Sequence, residues 1–186
     1  MSKSLSSLKK PVRSEGESEA ELNRYLCFML GDKAYAINIL KVKEIIEHTE
    51  YTPIPMMPQF VWGAINLRGE VVPVIDLSLR LNLKATEQQK RTCFVIVEVS
   101  INDTRLDVGV VVDAVSRVAD IPLEQHSAPP SFGGTINNEY VNGLGKVNGN
   151  FVLLLNIDKI LSMRDLAALQ QAGALGAQEQ SQKTDA

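Results

Sequence analysis

Little in this chain of 186 residues points to catalysis. It has only two cysteines and two histidines. Cys27 and Cys93 sit inside apolar runs (LCFML and CFVIV), with no CxxC spacing and no nearby histidine to complete a metal set. Both read as reduced core residues, since free cysteine is among the most buried residue types. His48 and His126 each fall in a polar or proline-flanked connection, with no cysteine or carboxylate placed for a metal site or a triad. The chain has no G-x-S-x-G, no P-loop and no G-x-G-x-x-G at a strand-to-helix turn. Asp76 and Asp113 follow strands, where a carboxylate commonly caps the next turn. A non-enzyme is expected, with no catalytic, cofactor-binding or metal-binding residue.

Positive charge and aromatics are also scarce. Lys and Arg number 19 against 22 Asp and Glu, a net charge of -3, and aromatics make up 5% of the chain. Small barrels that bind nucleic acid stack bases on aromatics in a basic groove, so a nucleic-acid partner is disfavoured, though a barrel of this size keeps it as a rival. A second rival is an enzyme or small-ligand sensor using a cleft between domains. No apolar run approaches the roughly 18–20 residues of a membrane span, and the opening MSKSLSSLKKPVRS is too polar for a signal peptide. The expectation is a cytoplasmic protein with no direct membrane insertion.

Hydrophobic residues at 45% and charged residues at 22% are ordinary globular values. Residues 1–22 carry too few apolar groups to offset the entropy of ordering them and read as a flexible tail. Residues 157 to about 172 have helical spacing, and GALGAQEQSQKTDA beyond them reads as a second flexible tail, giving 165–186 as a helix end and tail. Between the tails lie short Val- and Ile-rich segments punctuated by Gly, Pro, Asn and Asp, an all-β pattern. Short helical pieces fit after AYAINI, where Ile39, Val42 and Ile45 recur every third residue, and around 77–83.

The strongest signal is an internal repeat. FVWGAINLRGEVVPVIDL (60–77) aligns without a gap on YVNGLGKVNGNFVLLLNI (140–157), bringing Gly63 onto Gly143 and Gly69 onto Gly149. Upstream, residues 35–46 match 108–119 in apolar pattern with Val42 on Val115, and Cys27-Phe28 matches Cys93-Phe94. Arg68-Gly69 and Asn148-Gly149 lie between apolar runs, where a tight hairpin needs positive φ. Each half reads as two strands, a Pro-containing connection, a hairpin and a closing strand. Closing so small an antiparallel sheet removes its edges, so two five-stranded barrels are expected, 23–90 and 91–164.

Two side chains stand apart from the core. Trp62, the only tryptophan, lies in a strand whose alternation turns either it or Val61 outward, so it either anchors an interface or fills a barrel. Arg68, at a hairpin tip, either meets a partner's carboxylate or pairs with Glu44 at home.

The run GAINLRGEVVPVIDL (63–77), with LGDKAYAINILKVKEI (30–45), VVVDAVS (110–116) and EYVNGLG (139–145), closely resembles the recurrent blocks of the CheW family, coupling proteins of bacterial chemotaxis. The resemblance covers residues 24 to about 161. It implies a domain over 23–164 made of two SH3-like five-stranded β-barrels with a hydrophobic groove between them. It implies an adaptor that bridges the regulatory domain of the histidine kinase CheA to the cytoplasmic tip of methyl-accepting chemoreceptors, recruited to membrane-associated arrays. By the same resemblance Val42, Trp62, Gly63 and Gly69 fall at kinase-binding positions, and Glu44, Arg68, Val115 and Val118 at receptor-binding ones. The same barrel pair serves other chemosensory pathways such as pilus motility, which stands as the alternative.

Overall fold

The computed structural model describes residues 21–47, 50–129 and 138–184, with side chains described through residue 174. The expected tail over 1–22 lies outside the described residues except for its last two positions, and His48 and Pro130 lie outside them too. Among the described residues ten strands are present: β1 (Arg24–Leu30), β2 (Lys33–Asn38), β3 (Val42–Glu47), β4 (Val61–Leu67), β5 (Glu70–Asp76), β6 (Cys93–Ile101), β7 (Thr104–Val112), β8 (Ala114–Asp120), β9 (Val141–Val147) and β10 (Asn150–Leu155). Among the described residues, the helices α1 (Leu77–Arg80), α2 (Ile157–Ile160) and α3 (Met163–Thr184) accompany them.

The repeat is real in three dimensions. The hairpins β4–β5 and β9–β10 each turn on two residues of positive φ, Arg68 (53°) with Gly69 (86°) and Asn148 (50°) with Gly149 (82°). Two consecutive left-handed residues make the turn whose twist suits the flanking strands. Both hairpins lead into a one-turn helix, capped by Asp76 in one copy and Asn156 in the other. The backbone N–H of Asp76 donates to Phe60 O at 2.7 Å, as that of Asn156 does to Tyr140 O at 2.8 Å.

The strands form two five-stranded curled sheets, ordered β8-β1-β2-β10-β9 and β3-β6-β7-β5-β4, the two SH3-like barrels. We call them the β1 barrel and the β6 barrel. They do not follow the expected division at 90/91. Each barrel takes its first two strands from one copy of the repeat and its last three from the other, joined by the parallel pairs β2–β10 and β7–β5. The connections explain the exchange. Only Asp113 separates β7 from β8, too short for a hairpin, so the chain crosses into the other sheet. In the first copy a three-residue 3₁₀ turn, Ile39–Lys41, makes the same crossing, its start fixed where Asn38 Oδ1 accepts Leu40 N–H at 2.9 Å. Ile39, Val42 and Ile45 therefore follow one turn and a strand rather than a longer helix.

Strand alternation decides where the cores lie. On β1, Leu26, Phe28 and Leu30 face the seam between the barrels while Cys27 enters the β1 barrel with Ala36, Ile121, Val152 and Leu154. On β6, Val95, Val97 and Val99 face the seam while Phe94 and Ile96 enter the other barrel with Ile65, Val72, Val74 and Val111. Strands buried on both faces read as continuous apolar runs, which is why LCFML and CFVIV stood out. The seam holds the largest cluster of buried side chains, each contributing about 1.5–3 kcal/mol of burial. Over the facing strands it is filled rather than an open groove, which corrects the expectation at that place.

The C-terminal helical stretch divides and then lengthens. Leu161 is extended (φ −109°, ψ 139°) and ends α2, and Ser162 starts α3 by exchanging hydrogen bonds with Asp165, a capping box. Leu166, Leu169 and Ala172 bury α3 against the cores, the helix lying over β4 and β5. The helix runs through Thr184, well past the expected end near residue 172. Its Ala, Gln, Glu and Lys favour helix, against about 1 kcal/mol lost at each of Gly173 and Gly176. At its start, Arg80 Nη2 meets Asp165 Oδ2 at 3.1 Å while the guanidinium lies 5.6 Å from the Phe60 ring centroid and 5.5 Å from that of Tyr140. Phe60 and Tyr140 are equivalent positions of the repeat, so one cation holds together both barrels and α3.

Candidate functional site

The β4–β5 tip carries the most conspicuous surface group. Gly69 N–H donates to Asn66 Oδ1 at 2.9 Å, stiffening the turn that presents Arg68. The Arg68 side chain is 80% exposed and its Nη2 lies 2.9 Å from Glu44 Oε1 on β3. Arg68 therefore pairs at home. An exposed pair of this kind is worth about 0–1 kcal/mol, so exchanging Glu44 for a partner's carboxylate costs the fold almost nothing.

A bulge places Trp62. The register of β4 on β5 shifts between Val61 and Gly63, which breaks the alternation at Trp62 and leaves its indole half-buried over the β6-barrel interior. The indole meets Phe94 edge-on with centroids 6.2 Å apart and tilts over Tyr51 at 5.2 Å. Its Nε1–H donates to Asp76 Oδ2 at 3.3 Å. Gly63 beside it is buried with φ 147°, and a Cβ there would stand 2.0 Å from Thr52 O. The chain before β4 lies that close because Thr52 and Ala64 exchange backbone hydrogen bonds of 2.8 and 2.9 Å. Gly143 repeats the arrangement against Ser127 O.

The remaining expected residues separate by depth. Val42 is buried in the seam and Val115 is half-buried against it, whereas Val118 is exposed. Glu44, Arg68 and Gly69 thus gather at one tip of the β6 barrel, while Val115 and Val118 lie on β8 of the β1 barrel. Val42 and Gly63 have little surface to offer a partner.

Several residues escaped the sequence reading. Arg117 is the β8 counterpart of Glu44, and Asn148, with its carbonyl oxygen turned toward Arg117, accepts from that guanidinium as Glu44 accepts from Arg68. The two barrel tips are related by the repeat but opposite in the sign of the strand residue. Beside Asn148 an open polar cleft of about 670 Å³ runs between β8, the 124–127 segment and the β9–β10 hairpin, lined by Val118, Asp120, His126 and Lys146 among others, with exposed Phe151 at its edge. His126 is half-buried, its Nε2 2.8 Å from Ile121 O. Only knowledge of which strands pair would have brought these residues together.

Titrating groups sit in cores and surface networks. Burial pushes the thiol of Cys27 up, opposed by the Arg117 charge, and also raises that of Cys93. Burial likewise raises the Tyr35 phenol, whose hydroxyl lies in the seam with no hydrogen-bond partner among the described residues. The hydrogen bond to Asp107, aided by Glu98, raises Lys43. Among the described residues no three His, Cys, Asp or Glu gather to hold a metal ion, and no helix is long and apolar enough to cross a membrane.

A duplicated pair of SH3-like barrels with an exposed ion pair at a rigid tip has the form of a protein-binding adaptor. The family model described as a CheW-like domain matches residues 24–165. The chemotaxis protein CheW of Klebsiella aerogenes is 36% identical over 143 residues, covering 77% of this chain and 84% of that one. Protein FrzA of Myxococcus xanthus is 34% identical over 154 residues, covering 81% of this chain and 92% of that one. Among solved structures, the scaffolding protein TtCheW from Thermoanaerobacter tengcongensis matches with a TM-score of 0.67 at 29% identity, covering 77% of this chain and 90% of that one. The chain belongs to the CheW family and is a chemotaxis adaptor.

Proposed function

We propose that this adaptor bridges the regulatory domain of the CheA kinase to the cytoplasmic tip of methyl-accepting chemoreceptors, and that it does so without catalysis, from the cytoplasm, recruited to receptor arrays. The observation that carries the reading is the Glu44–Arg68 pair: a guanidinium held out on a stiff two-residue turn, contributing little to stability and free to take a bidentate carboxylate partner. Glu44 and Arg68 contact the receptor together with the β8 rim, where Val118 is exposed and Val115 rests on the seam. Because the seam is filled over its facing strands, the receptor's helices lie along its edge rather than enter it. The half-buried Trp62 face and the Gly69 turn meet the kinase. Val42 and Gly63 serve that contact by holding β3 and β4 in place. A receptor movement then becomes a shift in kinase population through geometry alone.

The test uses the full chain in arrays reconstituted from receptor and CheA. Arg68→Ala folds normally and loses stimulation of kinase activity. Wild-type stimulation by that variant removes Arg68 from the contact.

A further inference from the structure

Asp76 caps α1, as its place after a strand suggests, but its surroundings go beyond a cap. The residue is wholly buried, and no salt bridge reaches it among the described residues. Its two oxygens accept two hydrogen bonds each. Oδ1 takes the Leu79 N–H at 3.3 Å and the Thr86 hydroxyl at 3.1 Å, and Oδ2 takes the Trp62 indole N–H at 3.3 Å and the Thr86 backbone N–H at 2.9 Å. The Ser78 hydroxyl lies 3.3 Å from that of Thr86. One carboxylate therefore fastens three separate pieces: the indole on β4, the first turn of α1, and the segment between α1 and β6. That segment is exposed at Lys84, Glu87, Lys90 and Arg91.

The repeat supplies an internal control. In the other copy the same backbone hydrogen bond closes the hairpin, yet Asn156 stands in place of Asp76 and exposed Asn142 in place of Trp62. There, among the described residues, the Asn156 side chain accepts from Asp158 N–H alone, at 3.2 Å. The barrel closes without the indole, the charge or the tethered segment, so the fold does not require them. A buried anion is costly unless fully hydrogen-bonded, and keeping one in a single copy needs a reason other than architecture.

We propose that Asp76 is a positioning residue that locks the Trp62 indole and the 82–92 segment into one recognition surface, extending the kinase contact from Trp62 onto that segment. This rests on the assignment of Trp62 to the kinase made above. Asn at position 76 would turn an amide donor toward donors and release at least one arm. Val at position 86 would lose the hydroxyl arm and leave the indole in place.

The experiment measures three things on the full-length chain: emission of its single tryptophan, trypsin cleavage after Lys84, Lys90 and Arg91, and affinity for the isolated CheA regulatory domain. Asp76→Asn should red-shift the emission, speed the cleavage and weaken binding roughly tenfold. Thr86→Val should speed cleavage and weaken binding several-fold with little change in emission. If Trp62→Ala weakens binding while Asp76→Asn alters emission and cleavage but binds as wild type, the positioning role is overturned and the Trp62 assignment stands. Wild-type binding by Trp62→Ala overturns that assignment itself. Should Asp76→Asn fail to fold, Thr86→Val decides alone, and unchanged affinity overturns the proposal.

Discussion

Replacing Gly63 by alanine tests the closeness of chain to chain on which the β6 barrel depends. A Cβ at Gly63 would sit 2.0 Å from Thr52 O, 2.7 Å from Thr52 C and 2.9 Å from Pro53 Cα, all backbone atoms that cannot rotate away. The backbone there has φ 147°, which costs a residue with a side chain about 1–3 kcal/mol. Moving the 52–53 strap aside breaks the two Thr52–Ala64 hydrogen bonds at about 1 kcal/mol each, and residual overpacking adds about 1–3 kcal/mol. The total, roughly 4–8 kcal/mol, is a large part of the ~5–15 kcal/mol that holds a typical domain folded. Gly143→Ala meets one backbone oxygen at 2.6 Å and should cost less. Gly69→Ala meets nothing within 4 Å and bears only the left-handed φ of 86°, about 1 kcal/mol. Urea unfolding reads the order directly: with a slope of about 2 kcal/mol/M, Gly63→Ala lowers the midpoint by roughly 2–4 M at unchanged slope. A Gly63→Ala midpoint no lower than that of Gly69→Ala would refute the close approach and return Gly63 to the surface contacts.

Other perturbations follow from the same coordinates. Tyr35→Phe removes a buried hydroxyl that has no partner among the described residues and should raise stability by about 1 kcal/mol in chemical unfolding, a loss instead showing that the hydroxyl is bonded. Tyr35 and Cys27 both have folded pKa values raised above their ordinary 10.0 and 9.0, so the unfolded chain gives up their protons first. Their contribution is full below those values and is lost as pH rises through the folded ones, so stability should fall above about pH 9 and fall less steeply in Tyr35→Phe. Arg80→Lys keeps the charge but loses the flat guanidinium between two rings, and should cost about 1–2 kcal/mol and speed amide exchange at the start of α3. Arg68→Ala should change stability by less than about 1 kcal/mol, which thermal unfolding will check.

The repeat was legible because its punctuation is physical: glycines at Gly69 and Gly149 mark turns that need positive φ, and apolar runs such as LCFML mark strands buried on both faces. Partner choice was not legible. A pattern of strands counts elements without saying which pair, so the exchange that puts β3 beside β6 and β8 beside β1 left no trace, and the boundary at 90/91 followed the repeat instead of the barrels. Alternation left Trp62 undecided because a bulge interrupts the alternation at that residue. Arg68 was found as an exposed tip residue and Glu44 as its home partner, since both lie in local motifs. The Asp76 network went unseen because it joins positions 10 and 14 residues away through a segment with no periodicity of its own.

The bridging role is tested most directly by co-sedimentation of CheA with receptor-containing membranes at graded amounts of this chain. The account predicts that kinase appears in the pellet in proportion to added wild-type chain, and that Arg68→Ala binds the kinase regulatory domain in solution yet fails to bring it to the membranes. Equal recruitment with and without the chain, or full recruitment by Arg68→Ala, would contradict it.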